Sequence, residues 1–417
     1  MDVKDWASRL VASLMEIAVS YDPDREWTAS ARPRRTDKVA RVDVFEDMMS
    51  PEPFWRHLES GRSLATPYQR FDLLSAWQYH VGARTGMTPF IVVGFDDAGE
   101  PLFLWPFGRT QTGPFKVVRF LGSKHANFNV GLWRRDSLAA IGARELLDIF
   151  DRLTARGHRV DLVALFNQPL TWDGIPNPFG LLPRQASVDM SARLTLDRAT
   201  EDAINDGLSP SMRSRLRAKE RKLQNLPGYR YLQAATDADV DRLLDSFFSL
   251  KSTHMAAQGL GNVFAEPGVI EFLREACQRK LPNGRRLIEI HALEGGGEVL
   301  AVFGTTADDY RFSSMFNTYT LGENARHSPG LVLLTHMVAD CVARGVRSFD
   351  IGVGRAYYKS VFCREPEPLF DTFLPLTRRG RLAAAAFGAT FAIKRMIKQN
   401  QALWSAVQAL RRVRARS

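Results

Sequence analysis

Apolar and polar positions follow the same order twice along this chain. Over 69–81, Phe71, Leu74, Trp77 and Val81 fall on one helical face, and the short run 42–45 before them alternates as a strand does. Segments 89–95 and 101–107 flank Asp96-Asp97-Ala98-Gly99-Glu100, which predicts a hairpin. A strand at 116–121, a helix at 138–153 ended by Gly157 and a buried strand at 160–165 complete the first pass. In the second pass, 286–293 and 299–306 flank Glu294-Gly295-Gly296-Gly297-Glu298, and 310–318 is the next strand. A helix over 329–344, with Leu331, Leu334, Val338 and Val342 on its apolar side, then passes through Gly345 to a short strand at 347–351. The joins match: Ala155-Arg156-Gly157-His158-Arg159 against Ala343-Arg344-Gly345-Val346-Arg347. A repeated order of elements predicts an α/β protein with two similar lobes in tandem.

The flanking and linking segments differ in character. Residues 2–19 place Trp6, Leu10, Leu14 and Ile17 on one side of a helix, and 21–38, with Pro23 and Pro33, suit a flexible connector. Between the lobes, SMRSRLRAKERKLQNL (211–226) has an apolar seam of Met212, Leu216, Leu223 and Leu226, while Arg213, Arg217 and Arg221 stack on a separate face. Two readings are open here: a solvated helix packed by its seam, or an anion-binding face. After 375, alanines over 383–392 precede Ile393, Met396, Ile397, Leu403, Trp404, Val407 and Leu410 at helical spacing. This stripe can pack on the protein itself or a second subunit, or meet an anionic membrane surface. The resulting division is 1–38 (helix and connector), 39–200 (first lobe), 201–228 (basic linking helix), 229–376 (second lobe) and 377–417 (basic helical tail).

Charge adds little to the globular part. The formal net charge is +10, and from Arg378 onward there are ten Lys and Arg residues with no Asp or Glu, so the tail accounts for the excess and no specific nucleic-acid partner is expected. Cys277, Cys341 and Cys363 are far apart, without spacing that suggests zinc, so no metal is expected. Asp2 and Asp5 precede the N-terminal apolar run and Glu16 interrupts it, and no run nears the roughly 20 apolar residues of a membrane span. A cytoplasmic location is expected, with the tail as the means of any peripheral membrane contact.

The chemistry concentrates in RSFDIGVGRAYYKSVFC, 347–363. Ligands of open α/β sheets collect at the carboxyl ends of strands, where Asp350, Gly352, Gly354, Tyr357, Tyr358 and Lys359 all fall. Two roles are open to Asp350: a charged site residue, or an acceptor that fixes the Gly-x-Gly turn. Upstream, Arg326-His327-Ser328-Pro329-Gly330 begins a helix, with Ser328 placed to cap it, Pro329 in the first turn and free N–H groups facing an anion. In the first lobe, Lys124, His125, Asn127 and Asn129 share one loop and suit a sugar or a satisfied turn equally.

The pattern F-D-x-G-x-G-x-x-Y-Y-K-x-x-F, preceded by His327-Ser328-Pro329-Gly330-Leu331, resembles the CelD-type acetyltransferases associated with cellulose and exopolysaccharide synthesis. That family belongs to the Gcn5-related N-acetyltransferase superfamily and is similar to the Fem-type peptidyltransferases. The resemblance runs from about 42 to 375. It implies two acetyltransferase-like lobes with mixed, mostly antiparallel sheets, of which the second binds acetyl-CoA or another acyl-CoA. It implies pyrophosphate contacts at Arg326, His327, Ser328 and Gly330, although the glycine spacing departs from the superfamily loop, with Gly352 and Gly354 beside them. Tyr358, or alternatively Tyr357, becomes the proton donor to the leaving thiolate, and Lys359 the cation beside the developing oxyanion. The acceptor would be an amino sugar, glycan or nucleotide-linked sugar, met by Lys124, His125, Asn127, Asn129, Arg213 and Arg217. A Fem-type aminoacyl-tRNA-dependent transferase and a non-catalytic part of a glycan-synthesis complex are the competing classes.

Overall fold

Two mixed sheets frame the molecule, and each is completed by a strand from the other half of the chain. The computed structural model describes residues 38–196, 208–354, 359, 362, 363 and 365–400. The expected helix at 2–19, Tyr357, Tyr358, Leu403 and Trp404 lie outside the described residues.

The first sheet runs β1 (Arg41–Phe45), β3 (Thr88–Phe95), β4 (Pro101–Thr112), β5 (Phe115–Phe120), β7 (Leu162–Pro169), β18 (Leu369–Pro375), β10 (Arg184–Ala186). Here β6 (Leu132–Arg134) joins β4 and carries β2 (Ser63–Leu64) on its other side, while β8 (Thr171–Trp172) and β9 (Ile175–Pro176) form a separate small hairpin. The second sheet runs β12 (Arg230–Gln233), β13 (Glu289–Gly295), β14 (Glu298–Ala307), β15 (Arg311–Tyr319), β16 (Ser348–Asp350), β11 (Ser191–Thr195), β17 (Glu365–Glu367). Both expected hairpins form. Among the described strands each sheet has one parallel pair, β5 with β7 and β15 with β16. A parallel pair needs a crossover, and helices α3 (Ala143–Ala155) and α7 (Pro329–Ala343) supply it. The repeated order read from the sequence is thus a repeated topology.

The exchange of strands was not foreseen. β11, drawn with the first lobe, pairs antiparallel with β16, and β18, drawn with the second, pairs antiparallel with β7. Each parallel strand would otherwise present an open edge of unpaired N–H and C=O groups, and the strand from the other half covers it. Nothing local in a five- or seven-residue strand records which distant edge it will join.

The lobes also share a core. Helices α1 (Glu52–Ser60) and α2 (Phe71–Trp77) bury Trp55, Phe71, Leu74 and Trp77 in one cluster with Val240, Leu244 and Phe247 of α5 (Asp237–Ala257) and with Phe272 and Cys277 of α6 (Val269–Gln278). Asp72 ties the seam by accepting from Arg56 at 2.6 Å and from Arg279 at 2.9 Å. The sequence reading missed α5 and α6. In α5 the buried positions Val240, Leu243, Leu244 and Phe247 crowd the first half, so its apolar period fades along its length.

The basic helix and the tail both pack on the protein over their described residues. The basic helix α4 (Pro210–Gln224) buries Leu216 and Leu223, with Met212 and Leu226 against the same cluster, so the seam packs as expected. The tail helix α8 (Arg378–Gln399), capped by Thr377, lies on the first sheet: Ala383 is buried, and Phe387 and Phe391 pack among Phe166 and Phe373. Over its described part the tail therefore packs on the protein itself, leaving Leu382 at 70%, Ile393 at 45% and Met396 at 40% exposure. Among the described residues no helix is long and apolar enough to cross a membrane.

Candidate active site

Strands β15 and β16 run side by side for three residues and then part. Their register is Arg311 with Ser348, Phe312 with Phe349 and Ser313 with Asp350. β15 continues along β14 to Tyr319, whereas the chain after Asp350 turns away through Gly352 (φ 77°) and Gly354 (φ 102°). Where they part β15 is bulged: Ser314 faces Thr305 and Phe316 faces Gly304, which leaves Met315 without a partner. Parting strands and bulge together make a slot.

Asp350 stands at its inner end with no exposed surface. One carboxylate oxygen accepts from Gly352 N at 2.7 Å and the other from Ser313 Oγ at 2.7 Å, so Asp350 does fix the Gly-x-Gly turn. Arg311 approaches at 3.9 Å, but both its terminal nitrogens donate to Glu367, at 2.8 and 2.7 Å. Burial outweighs that guanidinium and raises the Asp350 carboxyl to about 6. Lys359 Nζ donates to the carbonyls of Gly352 at 3.0 Å and Val353 at 2.9 Å, clamping the same turn. Burial lowers its ammonium to about 8, against the pull of Asp350.

The first lobe reaches this slot through two side chains. Asn127 Nδ2 donates to Ser314 O at 2.9 Å and to Tyr68 Oη at 3.0 Å, and Tyr68 Oη shares a hydrogen with Ser313 Oγ at 2.8 Å. A Cβ at Gly352 would stand 2.8 Å from Ser314 O and 2.9 Å from Asn127 Nδ2, so contact between the lobes and the positive φ both require glycine there.

Beside the slot, α7 begins at the loop expected to hold pyrophosphate. Ser328 does not cap the helix: its backbone is left-handed (φ 51°) where a cap is normally extended, and its hydroxyl accepts from Lys219 Nζ at 2.6 Å. Lys219 comes from α4, so the linking helix presents a cation to this loop. Partial burial and the charges of Arg326, Lys219 and Lys222 lower the His327 pKa. Arg326 itself donates to Glu323 at 2.8 Å. At Gly330 a Cβ would meet nothing nearer than Tyr319, at 3.7 Å. The fold does not demand glycine there, and its absence of a side chain leaves the first helical turn open. A loop of this kind fits an anionic group.

The expected acceptor cluster is not one cluster. Lys124 is paired with Glu266 across the lobes. His125 accepts from Trp77 Nε1 at 3.0 Å, and burial lowers it to about 4. Asn129 is buried, with Nδ2 donating to Phe166 O at 3.2 Å. A 3-10 turn over Ser123–His125 sends neighbouring side chains in different directions, and Asn127 is the member of the set that meets the slot. On α4, Arg213 reaches Leu208 O at 3.5 Å and Arg217 lies on the exposed face. Tyr68, Arg311, Ser313 and Lys219 were missed. The first three had no local signal, and Lys219 was hidden in a run of equally basic neighbours.

Residues 210–360 match the family model described as an acetyltransferase (GNAT) domain. No curated protein matches the chain. Among solved structures, FemX is similar at 10% identity over 80% of this chain and 97% of that one, TM-score 0.51. A conserved protein of unknown function from Bacteroides thetaiotaomicron is similar at 10% identity over 80% and 100%, TM-score 0.50. L-PGS from Bacillus licheniformis is similar at 13% identity over 80% and 96%, TM-score 0.47. The matched span takes in α4, the loop at the start of α7, the parting strands and Lys359, and over that span the chain is similar to an acetyltransferase domain of the Gcn5-related type.

Proposed function

We propose that this protein is an acyl-CoA-dependent N-acyltransferase, acting on an amino sugar or another glycan precursor. The observation that carries the reading is the slot between β15 and the 351–354 turn, with the Lys359 ammonium at its edge and a cationic loop at the start of α7 beside it. An acyl-CoA supplies, when bound, an activated carbonyl carbon and a thiolate leaving group.

The residues divide the work as follows. Lys219, with the Ser328 hydroxyl and the bare turn at Gly330, receives a phosphate. Lys359 has three donors and uses two on turn carbonyls, which leaves one N–H for the oxygen that becomes negative as the acceptor nitrogen attacks. Asp350 and Ser313 hold the turn from beneath. In the step itself the C–N bond forms as the C–S bond breaks, the amine gives up a proton to water and the thiolate gains one. Tyr358, adjacent in sequence to Lys359, is the proposed donor of that last proton, since a phenol is neutral at pH 7 yet acidic enough to protonate a thiolate.

A thermal-shift series with CoA, acetyl-CoA and longer acyl-CoAs tests the reading. A ligand present at 100 times its dissociation constant adds about 2.7 kcal/mol of stability. Release of free thiol on addition of glucosamine to the acyl-CoA-loaded protein then tests transfer. Stabilisation by charged tRNA and not by any CoA would replace this reading with the Fem-type one.

A further inference from the structure

Tyr68 is the middle residue of a 3-10 turn, Pro67–Gln69, and reaches the slot, but its neighbours Gln69 and Arg70 line a different cavity. This is a cleft of about 1310 Å³ between the lobes. One wall is α1 and the loop after it. The other is the 281–283 loop and the β14–β15 turn at 308–310. Small-molecule sites usually enclose roughly 300–1,000 Å³, so this space suits a ligand longer than a single small group.

Two donors in its lining lack partners. Gln69 is 1% exposed; its Oε1 accepts from Val130 N and Gly131 N, both at 3.0 Å, and its Nε2 is buried without an acceptor. Arg70 Nη2 donates to Ala307 O at 2.7 Å, while Nη1 is buried and unpartnered; Asp308, Glu59 and Asp309 of the same lining act on the guanidinium from beyond ion-pair distance. Folded proteins seldom leave buried donors unmet, and a guanidinium stays protonated at any ordinary pH. Two adjacent residues thus offer N–H groups to a pair of oxygens carrying negative charge. Arg62 stands on the exposed rim, and Arg135 and Arg347 flank Asp173 there, at 2.8 and 2.5 Å.

The cleft and the slot are separate but adjacent. Trp172 lines the cleft and lies against the Arg311 guanidinium, 4.3 Å from ring centre, and Arg311 is in turn 3.9 Å from Asp350. A wall one arginine thick divides them.

We propose that this cleft is a second binding site, for an anionic sugar held through its phosphate or carboxylate by Arg70 and Gln69, and that it fills independently of the slot. The inference does not depend on what the slot transfers. Calorimetric titration of the full chain with uridine diphosphate and, separately, with trigalacturonate tests it, the first arm reporting a phosphate source and the second a carboxylate source. At least one is expected to bind with unchanged affinity in saturating CoA. Arg70→Gln should weaken that ligand tenfold or more without altering CoA affinity. If Arg70→Gln does not fold, Arg62→Glu on the exposed rim carries the test and should weaken binding several-fold. Three results overturn the proposal: neither ligand binding the folded wild type, displacement of the bound ligand by CoA, or undiminished binding by the variants. Binding in the cleft without any CoA binding would leave this inference standing and remove the acyl-CoA reading.

Discussion

Tyr68 Oη and Ser313 Oγ lie 2.8 Å apart, although 245 positions separate them in the chain and they belong to different lobes. Ser313 passes the contact on to Asp350 at 2.7 Å. The first lobe is therefore part of the framework that holds the proposed site of the second. Tyr68→Phe removes the hydroxyl and keeps the ring. Loss of a buried hydrogen-bonding group costs about 1–3 kcal/mol, so the melting temperature should fall measurably. The catalytic constant should fall about tenfold while acyl-CoA affinity holds. Wild-type turnover in a stably folded variant would show the contact to be structural only.

Lys359→Met should lower the catalytic constant by about a hundredfold or more, since loss of one preorganised oxyanion donor costs roughly 2.7–4 kcal/mol of barrier. Steady-state rates and equilibrium binding of acyl-CoA, measured together, separate this from a phosphate contact, which would weaken affinity and spare the rate at saturation.

Lys359 and Asp350 set a pH window. Lys359 is lowered to about 8, so its charge, and the rate it supports, should be lost as pH rises through that value. For stability the sign is opposite: the unfolded lysine binds more protons between about 8 and 10.5, and stability should rise across that interval as the buried charge is relieved. Asp350 is raised from 3.8 to about 6, so its contribution to stability is fully present below 3.8 and is lost as pH rises through about 6. In Lys359→Met the alkaline limb of the rate profile should disappear, and its persistence would assign that limb to another group.

Lys219→Ala should weaken CoA at least several-fold with little change in turnover at saturating cofactor. The effect should shrink as salt rises, because the contact is electrostatic and near the surface. Isothermal titration at two ionic strengths measures both. Undiminished affinity would take α4 out of the cofactor site.

Truncation after Thr377 should leave the first lobe unstable, because α8 covers Phe166, Phe373 and Val117. Aggregation or a large fall in melting temperature is expected. A truncated chain with the melting curve of the full one would contradict that packing.

The legible parts of this molecule were those with a local cause. Hairpins read from Asp96–Glu100 and Glu294–Glu298, the crossover helices from their apolar period, and the Asp350 turn from a carboxylate two residues before a glycine. The illegible parts depend on distance along the chain. Tyr68 has no sequence neighbour in the slot, Arg311 looks like any strand-end arginine, and Asn127 is distinguished from Lys124 and His125 by the turn that points it inward. Ser328 reads as a helix cap because Ser before Pro normally is one, and Lys219 from another helix changes its role.

The reciprocal placement of β11 and β18 has a consequence for how the chain can be made. At synthesis the first sheet cannot close until the ribosome has delivered residues 369–375, and among the described strands β10 pairs with β18 alone. The usual order, in which an N-terminal unit folds while the rest is still emerging, is thereby blocked. The two sheets are completed together, once residues 365–375 have been made, and a chain stalled between the lobes has neither sheet whole.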